Sequence, residues 1–200
     1  MKRYVLFSMP MPEVIRKITP LLFPKELARK VFAYMPSDGS DTESNEKYTP
    51  FWEILAKDLD AKFNFIDNSS SDDSEKEKLR ESNILLITGG NTFTLLNNIR
   101  SNELDKEIIK MTNKDDFVIA GFSAGAAILT PTINIVTKEW SYGKDSNNVG
   151  LDNLAGLNLV DFEVLPHYTE TDEESLEKYS KQSKYDVEPI PDDFYIVIES

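Results

Sequence analysis

The sequence predicts an α/β fold built on a mostly parallel sheet with helices on both faces. Apolar runs of strand length recur along the 200 residues, at 4–7, 31–35, 63–66, 84–87, 117–120, 162–165 and 194–198. Stretches with helical apolar spacing lie between them, and two glycine turns each join an apolar run to a helix. Alternation of this kind makes crossover units, which bring strands side by side in parallel.

Each element has a local reason. Met1-Lys2-Arg3 precedes an apolar stretch too short for a secretory signal, so 4–7 reads as a first strand. The 31–35 run is a second strand. Phe51, Leu55 and Leu59 share one face of a helix that follows Pro50, and Leu95, Leu96 and Ile99 do the same after Asn91-Thr92. The polar segments 37–47 and 68–78 read as solvated loops running into helix starts. Residues 124–129 are rich in helix formers and are ended by Pro131. Residues 133–136 read as a short strand, and 138–153, without apolar periodicity, as a long loop. With 40% hydrophobic residues and no second unit marked by composition or punctuation, a single domain over 1–200 is expected.

Composition removes several classes of function. A formal net charge of -13 argues against a nucleic-acid partner, which needs clustered Lys and Arg. The absence of cysteine excludes disulfides, thiolate metal sites and a cysteine nucleophile. No segment approaches the roughly 20 apolar residues of a membrane span, so no membrane partner is expected and the cytoplasm is the expected compartment.

The run Ile119-Ala120-Gly121-Phe122-Ser123-Ala124-Gly125 carries the chemistry. A serine between two such glycines, at a turn from apolar strand to apolar helix, reads as a nucleophile elbow: the turn is tight, and a side chain at either glycine would collide with neighbouring chain. The helix that follows aims its free N–H groups, beginning with Ala124, at the space above the hydroxyl. A serine needs a base, and His167 is the one histidine in the chain, placed just after the apolar run that ends at Pro166. The base in turn needs an acceptor. Between Ser123 and His167 the candidates are Glu139, Asp145, Asp152, Asp161 and Glu163, with Glu139 preferred because it closely follows the 133–136 run. The second turn, Thr88-Gly89-Gly90-Asn91-Thr92, falls on the same sheet edge, where Gly90 N–H is a second oxyanion donor and Asn91 and Thr92 are offered to a substrate.

Three blocks in order, Ile-Thr-Gly-Gly-Asn-Thr-Phe at 87–93, Gly-Phe-Ser-Ala-Gly-Ala at 121–126 and Leu-Asn-Leu-Val-Asp-Phe-Glu-Val-Leu-Pro-His-Tyr at 157–168, resemble the peptidase S51 family, whose members include dipeptidase E and cyanophycinase. The resemblance implies a three-layer α/β/α sandwich like that of class I glutamine amidotransferases. It implies Ser123 as nucleophile, His167 as base and the N–H groups of Gly90 and Ala124 as oxyanion hole. The family carries an acid about fifteen positions past the serine; Lys138 stands there in this chain and Glu139 follows, so Glu139 is the choice, with Asp145 and Asp152 as alternatives. Members of the family usually run on past the strand matched by 194–198 into a further hairpin, so either the sequence is trimmed or this member is a shorter one.

The expected activity is that of a serine peptidase acting on dipeptides, Asp-Xaa among them, or on other small peptides. It calls for no metal or organic cofactor, and a homodimer stays open. Asn134 and Lys138 are the polar and cationic groups the elbow region offers to a substrate carboxylate, and the acidic run 170–177 reads as a surface helix. The rivals are an esterase of the α/β-hydrolase type, which shares the elbow, and a catalytically silent member that binds a peptide or small ligand.

Overall fold

The computed structural model describes residues 1–39, 43–137 and 145–199, with the backbone alone for 43–47. Its centre is a six-stranded sheet made of β1 (Lys2–Phe7), β2 (Val31–Met35), β3 (Lys62–Phe65), β4 (Ile84–Ile87), β5 (Phe117–Phe122) and β8 (Tyr195–Glu199), in the order β3-β2-β4-β5-β1-β8. The first five strands are parallel and β8 runs antiparallel to β1, Phe7 opposite Tyr195. The central strands are buried on both faces, which explains why they read as continuous apolar runs rather than alternating ones.

Successive side chains still divide between the two faces. Val5, Phe7, Phe32, Tyr34, Leu86, Val118 and Ala120 point to a layer formed by α1 (Pro12–Leu22) and α2 (Glu43–Asp58). Leu6, Ala33, Met35, Leu85, Ile87 and Ile119 point to the other layer, formed by α3 (Asp73–Glu81), α4 (Thr92–Ser101), α5 (Leu104–Met111) and α6 (Ala124–Leu129). The result is the three-layer α/β/α sandwich. Among the described residues no helix is long and apolar enough to cross a membrane.

Several elements differ from the sequence reading. The 162–165 run does not join the central sheet. As β6 (Glu163–Pro166) it pairs in parallel with β7 (Val187–Ile190) in a separate two-stranded sheet, and α7 (Glu173–Ser180) connects the two. Strand β7 escapes a pattern reading because Glu188 and Pro189 interrupt it, and a strand with a single neighbour tolerates such a proline. Residues 134–136 form a 3₁₀ turn instead of a strand, Ile133 N–H being taken by the Leu154 carbonyl. Helix α2 begins before Pro50; among its described side chains Trp52 and Ala56 are buried, with Leu55 and, just past the helix, Leu59 packed in the same cluster, while Phe51 is exposed.

The polar segments are also less solvated than their composition suggests. Asn68 is fully buried: its Nδ2 donates to the Pro36 carbonyl, its Oδ1 accepts from Asn98 at 2.9 Å and its carbonyl from Asn102 at 2.8 Å. Ser37 is buried, and its N–H donates to Thr88 Oγ1 at 3.1 Å. These contacts fasten the loops after β2 and β3 to the edge where the strands end.

Helices α3 and α5 are pinned by charge. Arg80 donates from Nε and Nη2 to the two oxygens of Glu107, at 3.0 and 3.1 Å, and Lys110 adds a third contact at 2.9 Å. The hydrogen bond from Arg80 holds the buried Glu107 carboxyl down to about 2, against the opposing effect of burial. A carboxyl depressed in the folded state stabilises the fold above its unfolded pKa and ceases to do so as pH falls through the folded value. Arg80→Ala should therefore be less stable than the parent near pH 7, and the deficit should shrink between the ordinary glutamate range and about pH 2. Urea titrations across that window check it; a deficit independent of pH would show that packing, not the ion pair, is what Arg80 contributes.

Candidate active site

The elbow is built by close approach. Gly121, next to last in β5, meets the turn that opens α6: a Cβ there would lie 2.4 Å from the Gly125 carbonyl oxygen. A Cβ on Gly125 would lie 2.1 Å from the Ile87 carbonyl oxygen, so α6 can rest on the end of β4 only with hydrogen at that position. Between the two glycines Ser123 has φ 51° and ψ -118°, a combination outside the wells open to L residues. Such a conformation costs about 1–3 kcal/mol and persists only where its surroundings impose it. Here Ser123 N–H donates to the Phe7 carbonyl at 3.0 Å, and the Ser123 carbonyl accepts from Ala127 at 3.0 Å.

His167 directly follows β6, at φ 60°. That left-handed turn takes it off the line of the strand. Its Nε2 lies 2.8 Å from Ser123 Oγ, and its Nδ1 lies 2.6 Å from Asp192 Oδ1. Serine, histidine and aspartate thus form one line of hydrogen bonds across the gap between the two sheets. Asp192 stands in the turn between β7 and β8, closed by the Phe194 N–H on the Pro191 carbonyl at 3.1 Å. The His167 side chain is 25% exposed and that of Asp192 49%, so the line opens to solvent from the acid end.

The second glycine turn lies alongside. A Cβ on Gly89 would sit 2.9 Å from Ser123 Cβ, which brings the turn against the serine as the sequence predicts. Gly90 has φ 149°, a conformation strained for other residues, and a Cβ there would strike Ser37. Ala124 is the first residue of α6, so its N–H has no acceptor within the helix.

Four of the acids expected to orient the histidine, Asp145, Asp152, Asp161 and Glu163, are among the described residues and lie elsewhere. Glu139 lies outside the described residues. Asp145 accepts the N–H and the hydroxyl of Thr92 on Oδ2, at 2.9 and 2.5 Å, and so caps α4. Asp152 and Asp161 are exposed. Glu163 is buried at the start of β6, the far end of that strand from His167, where burial raises its carboxyl. Asp152 and Glu163 both line a cavity of about 1000 Å³ that includes neither Ser123 nor His167.

Asn91 and Thr92 follow the glycine turn that packs on the serine, and their side chains are bonded within the fold. Asn91 Oδ1 caps Thr94 N–H at 2.9 Å, its Nδ2 donates to the Ser146 carbonyl at 3.0 Å, and Thr92 is buried against Asp145. They latch the segment at 145–146 onto α4 beside the second glycine turn. Lys138 also lies outside the described residues. Among the described residues no group of three or more His, Asp or Glu is placed to hold a metal ion.

The model of peptidase family S51 matches residues 12–200. The chain belongs to peptidase family S51. The uncharacterized peptidase Lmo0363 of Listeria monocytogenes is 42% identical over 94 residues, 47% of this chain and 44% of that protein. Peptidase E of a Nostoc species is 32% identical over 101 residues, 48% of this chain and 37% of that protein. The chain therefore matches less than half the length of these curated relatives. A crystal structure of a Listeria monocytogenes EGD-e protein provisionally named peptidase E superposes with a TM-score of 0.75 at 27% identity, covering 99% of this chain and 94% of that one. A peptidase from an acI-B1 actinobacterium shares the fold, with a TM-score of 0.73 at 16% identity over all of this chain and 84% of its own.

Sequence reasoning sought the acid between serine and histidine and so passed over Asp192. The strand that leads to it, Val187-Glu188-Pro189-Ile190, is too interrupted to read as one, and only its parallel pairing with the strand that carries the histidine lands Asp192 beside the imidazole. The elbow packing predicts its own test. Gly125→Ala should force α6 away from β4 and cost about 1–3 kcal/mol of stability, the usual penalty of overpacking. Thermal unfolding reads it, and an unchanged midpoint would mean that α6 is not seated on Ile87.

Proposed function

We propose that this protein is a serine peptidase that hydrolyses dipeptides or other small peptides through an acyl-enzyme on Ser123. The observation that carries the reading is the continuous Ser123–His167–Asp192 line on a strained elbow in a chain of this family. In the reaction Ser123 Oγ attacks the scissile carbonyl while His167 Nε2 takes its proton. Asp192 holds Nδ1–H and stabilises the imidazolium that forms. The tetrahedral oxyanion rests on the N–H groups of Ala124 and Gly90, donors fixed before the charge develops. His167 then gives the proton to the leaving amine, and water, deprotonated by the same histidine, releases the acyl group.

Substrate size follows from access. The turn at Gly89 packs on Ser123, and the 145–146 segment is tied to Asn91 and Thr92 just after that turn, crowding that favours short peptides. The acidic residues after His167 do not by themselves select a substrate: Asp172 is spent on the N–H and hydroxyl of Thr169, and Glu170 faces solvent.

Intact-mass spectrometry after exposure to a serine-directed fluorophosphonate should show one adduct on the parent and none on Ser123→Ala. A peptide panel that includes Asp-Xaa dipeptides, run beside short-chain esters, should show turnover of peptides in preference to esters. Asp192→Asn should fold normally and lose activity toward the ~10⁴-fold that loss of a triad acid causes. Asp152→Asn should leave turnover within a factor of two. An unlabelled parent of intact fold would overturn the reading, and full activity in Asp192→Asn would remove Asp192 from it.

A further inference from the structure

Ser8, the residue after β1, is fully buried, and the reaction outlined above gives its hydroxyl no part. Its Oγ accepts the main-chain N–H of His167 at 3.0 Å and donates to the Ile190 carbonyl at 2.5 Å. One residue earlier, the Phe7 carbonyl accepts Ser123 N–H at 3.0 Å. The Ile190 carbonyl also takes Tyr168 N–H at 3.2 Å, and Asp192 stands two residues beyond Ile190. The strand end Phe7–Ser8 is therefore bonded to the main chain of the serine, to that of the histidine, and to the segment that leads into the aspartate.

The hydroxyl answers a specific need. The β6–β7 ladder ends at the pair Pro166–Ile190, and His167 then turns to positive φ, which takes its N–H out of the ladder. A buried amide that leaves a ladder must find another acceptor. Ser8 supplies one and, being a hydroxyl, donates at the same time to the strand on the other side. Neither an aliphatic side chain nor a purely accepting one would do both.

We propose that Ser8 is a positioning residue: its hydroxyl cross-links β6 and β7 to β1 where His167 and Asp192 leave their strands, and so sets the imidazole between Ser123 and Asp192. The consequence for rate rests on the peptidase reading; the consequence for geometry does not. Displacing a reacting group by about 1 Å costs on the order of 10²-fold in rate, and Ser8→Ala should slow fluorophosphonate labelling of Ser123 by that order, lowering kcat with KM little changed.

The single histidine makes the geometric consequence directly readable. In the parent, proton NMR should show one low-field resonance from the His167 Nδ1–H held by Asp192, absent in Asp192→Asn. Ser8→Ala should lose it or move it upfield, and Ser8→Thr, which keeps the hydroxyl, should restore it together with the labelling rate. Ser82→Ala is the matched control. Ser82 is equally buried, accepts from Asn64 at 3.4 Å and donates to the Lys78 carbonyl at 2.7 Å, between α3 and β4. It should lower the melting temperature and leave the resonance in place.

If Ser8→Ala does not accumulate folded, Ser8→Cys, of similar shape and weaker hydrogen bonding, makes the same comparison. A Ser8 variant that keeps both the resonance and the labelling rate, or a Ser82→Ala that loses the resonance as fully, overturns the proposal. Because the resonance is read without substrate, an inactive parent would sink the peptidase reading and still leave the role of Ser8 decided.

Discussion

The contact on which the site depends is the meeting of α6 with the ends of β4 and β5, at a distance only glycine allows. With Gly125 seated on the Ile87 carbonyl and Gly121 on the turn above it, the helix begins immediately after the strand and the chain has one residue in which to reverse. That residue is Ser123, and its unusual backbone conformation is the result. Its hydroxyl is held out from the sheet edge, while the first N–H of the helix is left without an intrahelical acceptor beside it. Relaxing the contact would relieve the strain and lose the alignment together.

The other half of the site comes from a different sheet. The histidine and the aspartate follow the parallel strands β6 and β7, so both leave at the same end and can meet. That small sheet is not an appendage: Val164, Leu165, Tyr179 and Ile190 belong to the same apolar cluster as Ile128, Leu129 and Ile133 of the α6 region. Burial of this cluster presses the small sheet on the helix that carries the serine. Apolar contact of this kind is non-directional, however, and fixes distance better than register. Register comes from hydrogen bonds, at Phe7 for the serine and at Ser8 for the histidine.

The polar loops at the strand ends serve the same purpose. Asn68, Asp145 and Asn91 spend their side chains on main-chain groups and neighbouring polar side chains rather than on solvent, and the Ser37 N–H is taken by Thr88 Oγ1. Each satisfied group removes freedom from the loops at this end of the sheet, where the turn at Gly89 packs against Ser123. In a chain of net charge -13, such neutral and singly acidic links hold the edge together without adding a dense cluster of like charge. The bidentate ion pair of Arg80 with Glu107 lies instead between two helices in the layer behind the sheet.

What the sequence alone determined was whatever a short stretch of chain encodes. The central strands were legible because burial on both faces makes them continuous apolar runs, and the elbow because two glycines bracket one serine over five residues. His167 was legible because it is the one histidine and follows such a run. Tertiary structure decided what depends on distant partners. It drew β6 out of the central sheet to pair with β7, whose proline and glutamate hid it from any pattern, and it turned 134–136 into a 3₁₀ turn. It also put Asp192 on the imidazole and Asp145 on a helix cap, two aspartates that composition and spacing treat alike. A carboxylate's task is set by the donor that reaches it, and here that donor arrives from another strand.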